Sequence, residues 1–152
     1  MPGLAEMTDS FDFEPVFFAN VPLLTYDYTA HGDGSEFTVR RNREAFSWVD
    51  LVPGKAIDPK SVDLSTEVLG TRLRYPILVA PSAVQVSLHP DGEIGMHRGA
   101  TAASNTPMIL SHVTSTAVDK VAAAAKGPLW AQFYPQQDRA IGRKILVEGQ
   151  NA

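Results

Sequence analysis

From Pro76 onward the sequence repeats one pattern three times: a short apolar run, a turn, then a helix-patterned stretch. The first run, Ile77-Leu78-Val79-Ala80, is apolar without alternation, and Pro76 and Pro81 bound it. Such a run reads as a strand buried on both faces, as a parallel sheet requires. Asp91 to Ala103 follows as a helix rich in alanine and glycine. Met108 to Ser111 is the second run. Ala117 to Ala125 is the second helix, with Val118, Val121, Ala122 and Ala125 at i, i+3, i+4 and i+7. Leu129 to Tyr134 is the third run, and Asp138 to Val147 the third helix. Three alternations predict an α/β fold with a parallel sheet and right-handed crossovers. Two architectures fit the pattern: part of a doubly wound sheet, or the opening units of a (β/α)₈ barrel, which needs about 250 residues when complete.

The residues before Pro76 read differently. Residues 1–21 form a lead, expected to be poorly ordered over its first 14 residues. Pro22 to Ala30 is a helix whose first turn suits Pro22 and whose end suits His31-Gly32. A second helix runs from about Ser35 to Ser47, with Ser35 as its expected cap. Asp50 to Ser61 is loop-like, carrying Pro53-Gly54 and Asp58-Pro59. Val62 to Tyr75 reads as a hairpin turning near Gly70, because Leu73 alternates with Arg72 and Arg74. The expected organisation is a lead over 1–21, helices and a capping hairpin over 22–75, and three βα units over 76–152.

Composition narrows the functional classes. The net charge is −4, and the arginines at 40, 41 and 43 are flanked by Glu36 and Glu44, which reads as a solvated helix face rather than a nucleic-acid footprint. There is no cysteine, so disulfides, thiol nucleophiles and cysteine-ligated metals are excluded. The acidic start lacks the pattern of a secretory signal, and no apolar stretch is long enough to cross a bilayer, so a cytoplasmic location is expected. His89, Glu93 and His97 stand four apart, but Pro90 and Gly92 place His89 ahead of the helix, and no metal is expected there. Glu93 is read instead as a partner for the positive helix N-terminus.

In a parallel sheet the carboxyl ends of the strands share one edge. Here that edge collects Pro81-Ser82-Ala83, Ser111-His112 and Gln132-Phe133-Tyr134. Backbone N–H groups, hydroxyls, an amide and a phenol suit a flat polar heterocycle that needs donors and acceptors. Ser111 and Gln132 could equally serve to satisfy loop backbone. His112 could be a general base or part of a pocket wall. Tyr28 and Tyr134 could bind a carboxylate through their hydroxyls, or pack with the hydroxyl reaching a loop.

One further feature is the order of short motifs: Tyr26-Asp27-Tyr28, Arg41-Asn42-Arg43-Glu44-Ala45-Phe46, Leu69-Gly70, Pro76 to Pro81, His89-Pro90-Asp91-Gly92-Glu93, Leu110-Ser111, and Gln132-Phe133-Tyr134 with Asp138-Arg139. In this order and spacing, over about residues 22–149, the chain resembles the N-terminal half of the FMN-dependent 2-hydroxy-acid oxidases and dehydrogenases. That group includes glycolate oxidase, lactate monooxygenase and mandelate dehydrogenase. The resemblance implies a TIM barrel, of which this chain would hold the first three βα units, and FMN at its C-terminal face. It implies that Pro81, Ser82 and Ala83 put backbone groups against the flavin, with the Ala83 N–H near the hydride-accepting nitrogen. It implies that Ser111 and Gln132 bond the pyrimidine edge, and that Tyr28 and Tyr134 bind substrate. The implied reaction is oxidation of a lactate- or glycolate-like 2-hydroxy acid to a 2-oxo acid, by a homo-oligomer or with a C-terminal half.

Several positions depart from that family's pattern. Val113 stands where a substrate-facing Trp is frequent, His112 replaces a small residue, Asn105 a glycine, and Gly54 an arginine. The family's histidine base, substrate arginines and phosphate loops belong to its second half, and none of His31, His89, His97 or His112 falls at the base's position. No catalytic residue is therefore expected within these 152 residues, and the isolated chain is expected to be inactive. The alternative is a non-catalytic partial barrel serving as a binding or assembly module.

Overall fold

The computed structural model describes residues 3–52, 54 and 58–152. Pro53 of the expected Pro53-Gly54 turn, Lys55 to Ile57 of the expected loop and the first two residues of the lead lie outside the described residues. The chain divides into two compact units, Met1–Pro59 and Lys60–Ala152.

The first unit is helical. Asp9 opens it with a reciprocal cap on a 3₁₀ turn, Ser10–Phe13. Its carboxylate accepts from the N–H of Phe11 and Asp12, while Asp12 accepts from the N–H of Asp9. The chain then enters helix α1, Glu14–Asn20, with Pro15 in its first turn, where a missing N–H costs nothing. The expected disorder of the first 14 residues is thus not what the fold shows: a further 3₁₀ turn, Leu4–Glu6, stands ahead of Asp9. Helix α2, Leu23–Ala30, has Pro22 at its cap position. Tyr26 on α2 packs edge-on to Phe18 at 4.9 Å and donates its hydroxyl to Glu14 at 3.1 Å. Helix α3, Phe37–Glu44, runs on into a 3₁₀ turn, Ala45–Trp48. Ser35 does not cap α3. Glu36 holds that position with a left-handed backbone and no side-chain cap. Arg41 lies 4.1 Å over the Trp48 ring, and Arg43 bridges to Glu14 at 3.1 Å. No described residue of this unit is buried.

The second unit carries the expected alternation. Strands β1, Thr66–Val68, and β2, Thr71–Leu73, pair antiparallel, turning at Leu69-Gly70. Both turn residues have positive φ, 49° and 75°, the signature of a tight two-residue hairpin turn. The inward residue of the alternating stretch, Leu73, is buried as the period predicts. Helix α4, Gly92–Ser104, leads to β3, Met108–Leu110; α5, Val118–Ala124, leads to β4, Leu129–Ala131; and α6 is Arg139–Asn151. Asn105 ends α4 in the left-handed conformation, and its N–H returns to Ala100 and Thr101. Asparagine tolerates that conformation, so it fills the role expected of a glycine.

Strands β3 and β4 are parallel, with Met108 opposite Leu129 and Leu110 opposite Ala131. Met108, Leu110 and Val121 form the core, and Val79, Ile94, Val118 and Leu129 close around it. The run at 77–80 departs from expectation. It touches the sheet only at Val79, which forms a parallel bridge to Met108. The Val79 N–H donates to the Pro107 carbonyl, and its carbonyl accepts from Ile109, both at 3.0 Å. Ile77 is 61% exposed, so the run is not buried on both faces. Its other side has no strand to pair with among the described residues, and Pro76 and Pro81 supply no N–H at its ends.

Candidate functional site

The bridge at Val79 and the parallel β3–β4 ladder put three segment ends at one edge. These are the loop Pro81-Ser82-Ala83, then Ser111-His112 after β3, and Gln132-Phe133-Tyr134 after β4. The Gln132 N–H donates to the Leu110 carbonyl at 2.8 Å, carrying the ladder one residue past β4. Ser111 is 5% exposed. Its Oγ accepts from the Val113 N–H at 3.1 Å and donates to Gln132 Oε1 at 3.4 Å. Gln132 Oε1 also accepts from the His112 N–H at 3.2 Å. A backbone N–H can only donate, so the amide oxygen must face it, and the Gln132 NH₂ is turned away from the loop. Ser111 and Gln132 therefore do satisfy loop backbone, and Gln132 keeps a pair of outward donors as well.

The first loop is held by one side chain. Gln85 is buried, and its Nε2 donates to the Ser82 carbonyl at 3.2 Å. Val84, between them, has φ 45° and ψ 46°, a left-handed backbone that costs a β-branched residue on the order of 1–3 kcal/mol. Its N–H donates to the Val113 carbonyl at 3.0 Å, tying the first loop to the second. The Ala83 N–H makes no hydrogen bond among the described residues. Concavities of about 650 and 670 Å³ reach this edge, one touching Ser111, His112 and Gln132, the other Ser82 and Gln85.

His112 is engaged rather than free. Its Nδ1 accepts from the Tyr134 N–H at 3.3 Å, Gln136 lies 3.3 Å from its Nε2, and its ring is tilted over Tyr134 at 5.0 Å. It forms a wall beside Tyr134. The structure brings Pro81, Ser82, Ala83, Ser111, Gln132 and Tyr134 together. Tyr28 lies on α2 of the first unit and is 78% exposed.

Beneath the edge sits Glu93, fully buried on the first turn of α4. Its Oε1 accepts from the N–H of Gln85 and Ser115 at 3.2 and 2.8 Å and from the Ser115 hydroxyl at 2.7 Å. Its Oε2 accepts from the Ser115 and Thr116 hydroxyls at 2.8 and 2.9 Å. Burial pushes its carboxyl up, but the bonds from Ser115 and Thr116 outweigh that and hold it at about 2. One turn on, His97 is equally buried, its ring nitrogens 2.9 and 3.2 Å from the carbonyls of Val121 and Gly127. Neither residue is available to a metal, and no three acidic or histidine side chains converge as a metal site among the described residues. The sequence-level reading of Glu93 as a helix-end charge missed this network, because its partners lie 22 and 23 residues away.

The chain matches the FMN-dependent dehydrogenase family over residues 19–152. It is 36% identical to glycolate oxidase 1 of Zea mays over 149 residues, 98% of this chain and 40% of that protein. Glycolate oxidase of Spinacia oleracea is 33% identical over 147 residues. A crystal structure of mandelate oxidase with 3,3-difluoro-2-hydroxy-3-phenylpropionic acid superposes with a TM-score of 0.85, covering 93% of this chain and 42% of that one at 28% identity. This chain spans about two fifths of the length of those relatives. A match that runs from the end of α1 through both sheets to the last helix shows that the chain belongs to the FMN-dependent dehydrogenase family.

Proposed function

We propose that this chain supplies one wall of an FMN site for the oxidation of a small 2-hydroxy acid, glycolate- or lactate-like, to a 2-oxo acid. The supporting observation is one edge at which Gln132 turns its amide oxygen to its own loop, leaving the NH₂ free to donate outward, and at which the Ala83 N–H is unbonded among the described residues, with the end of β3 between them. Those donors suit the carbonyl oxygens and ring nitrogen of a flavin, and the residues fit the cofactor. In this reading the 81–83 loop lies along the ring, and Ser111 and Gln132 hold its pyrimidine edge. Tyr134 binds the substrate at this edge, while the substrate-binding role of Tyr28 rests on the family resemblance alone. His112 shapes the pocket beside Tyr134. The chemistry supplied by bound FMN is two-electron acceptance, balanced by oxygen or another oxidant.

The segment is the first three units of a barrel whose base and phosphate loops belong to the part of the relatives it does not span. A test mixes the purified chain with FMN and then with glycolate, lactate or mandelate under anaerobic conditions. Alone it should neither retain flavin absorbance nor bleach it. Adding the C-terminal remainder of maize glycolate oxidase should restore both. Turnover by the isolated chain would overturn the incomplete-site reading, and failure to hold flavin after complementation would overturn the FMN wall.

A second reading, a non-catalytic binding or assembly module, is favoured by the open sheet: Val79 and β4 have strand partners on one side only among the described residues. A chain that melts cooperatively alone and gains no flavin binding on complementation would support it.

A further inference from the structure

We propose that Glu93 is a positioning residue that clamps the two cofactor-facing loops, 82–86 and 111–116, into one rigid surface. The proposal rests on the FMN-wall reading for its functional meaning but not for its geometry. Both loops are joined at this carboxylate. On one side it takes the Gln85 N–H, and the Gln85 side chain holds the Ser82 carbonyl at 3.2 Å. On the other it takes the N–H and hydroxyl of Ser115 and the hydroxyl of Thr116. Ser115 Oγ also accepts from the Val86 N–H at 3.1 Å, which closes a ring through both loops. Two residues before Ser115, Val113 accepts from Val84 through its carbonyl and donates to Ser111 Oγ. Glu93 is thus two or three bonds from Ser82 and from Ser111.

The backbone around the clamp is set to permit it. Gly92 precedes Glu93 with φ 43°, and a Cβ there would stand 2.6 Å from Val86 Cγ2 and 3.0 Å from the Val86 nitrogen. Only glycine lets α4 start this close to the first loop. Val84 holds its left-handed conformation between two of the clamp's bonds, and strain of that kind persists only where surroundings over-determine it. A fully buried carboxylate that accepts from both loops is placed to join them.

The test is amide hydrogen exchange on the chain without flavin, comparing Glu93→Gln with Ser115→Ala and the core variant Val121→Ala. Losing charge-assisted bonds should raise exchange at Gln85, Val86 and Ser115 by about tenfold or more in Glu93→Gln. Ser115→Ala should give a weaker version of the same pattern. The ladder amides Ile109 and Gln132 should change less. Val121→Ala should loosen the ladder and the loops together. A uniform rise in Glu93→Gln, matching Val121→Ala, would make Glu93 merely structural and overturn the proposal, as would unchanged loops. FMN titration of the complemented protein is the second readout. Weaker flavin binding by Glu93→Gln, beyond that of Val121→Ala, is expected. If the complemented protein binds no flavin at all, the FMN reading fails while the exchange result still decides the clamp.

Discussion

At the scale of single residues, the buried charges carry the largest consequences. Glu93 has a folded-state carboxyl held at about 2, against an ordinary value of 4.5. A group depressed on folding contributes stability that is full above its unfolded value and is lost as pH falls through its folded one. For Glu93 that window runs from about pH 4.5 down to about pH 2, and the shift corresponds to roughly 3 kcal/mol. Denaturant unfolding of wild type and Glu93→Gln across pH 7 to 2 checks it. The variant should be weaker by about that amount at neutral pH, because an amide nitrogen would then face hydroxyl and N–H donors. The gap should narrow as the pH approaches 2. Hydrogen bonds also hold Asp12, Glu14 and Asp63 below their ordinary values in both proteins, so only the difference between the two proteins reports Glu93. A gap that stays constant with pH would contradict the charge-based account.

At the scale of elements, the outcome divides by how local each cause is. The hairpin turn near Gly70, the first turn of α2 beside Pro22 and the left-handed end of α4 at Asn105 were legible, because one or two residues determine each. The 3₁₀ turn at Ser10–Phe13 was also within reach, since Asp9 and Asp12 are spaced as a reciprocal cap; residues 1–14 were instead read as poorly ordered. The run at 77–80 was misread for another reason. Apolar composition reports a tendency to be buried, whereas burial needs neighbours on both sides, and among the described residues the run pairs with β3 alone. The site followed the same division. The segment ends carrying Ser82, Ser111 and Gln132 were readable from the strand pattern, while the Glu93 clamp and the His112–Tyr134 bond depend on packing between distant loops. One element departs from its own best sequence. Leu69 is 88% exposed with φ 49° in a turn that favours Asn-Gly. Leu69→Asn should raise stability by about 1 kcal/mol in a denaturant titration, by relieving the left-handed cost of a γ-branched side chain without removing a buried contact. No gain would mean that Leu69 is covered by something else in solution.

At the scale of the whole molecule, the open side of β4 decides what this chain can become. In a parallel ladder alternate residues point their main-chain groups to opposite sides. Gln132 donates to Leu110 and the Pro128 carbonyl accepts from Met108, so the even-numbered residues of this stretch face β3. The N–H groups of Leu129 and Ala131 therefore face the outer edge. Strand addition at this edge would extend the sheet, and the part of maize glycolate oxidase beyond the matched 40% can offer a strand in trans. Ala131→Pro isolates the question. It removes one outward N–H, leaves every bond to β3 in place, and imposes an extended conformation on Trp130 that a strand already has. The isolated variant should unfold within about 1 kcal/mol of wild type, since no β3–β4 hydrogen bond is lost. Its complementation by the C-terminal remainder of maize glycolate oxidase, read as recovered flavin absorbance, should fall sharply. Equal recovery in both proteins would show that the edge of β4 is not where the barrel is completed. A variant already unfolded on its own would show that Ala131 faces β3 after all.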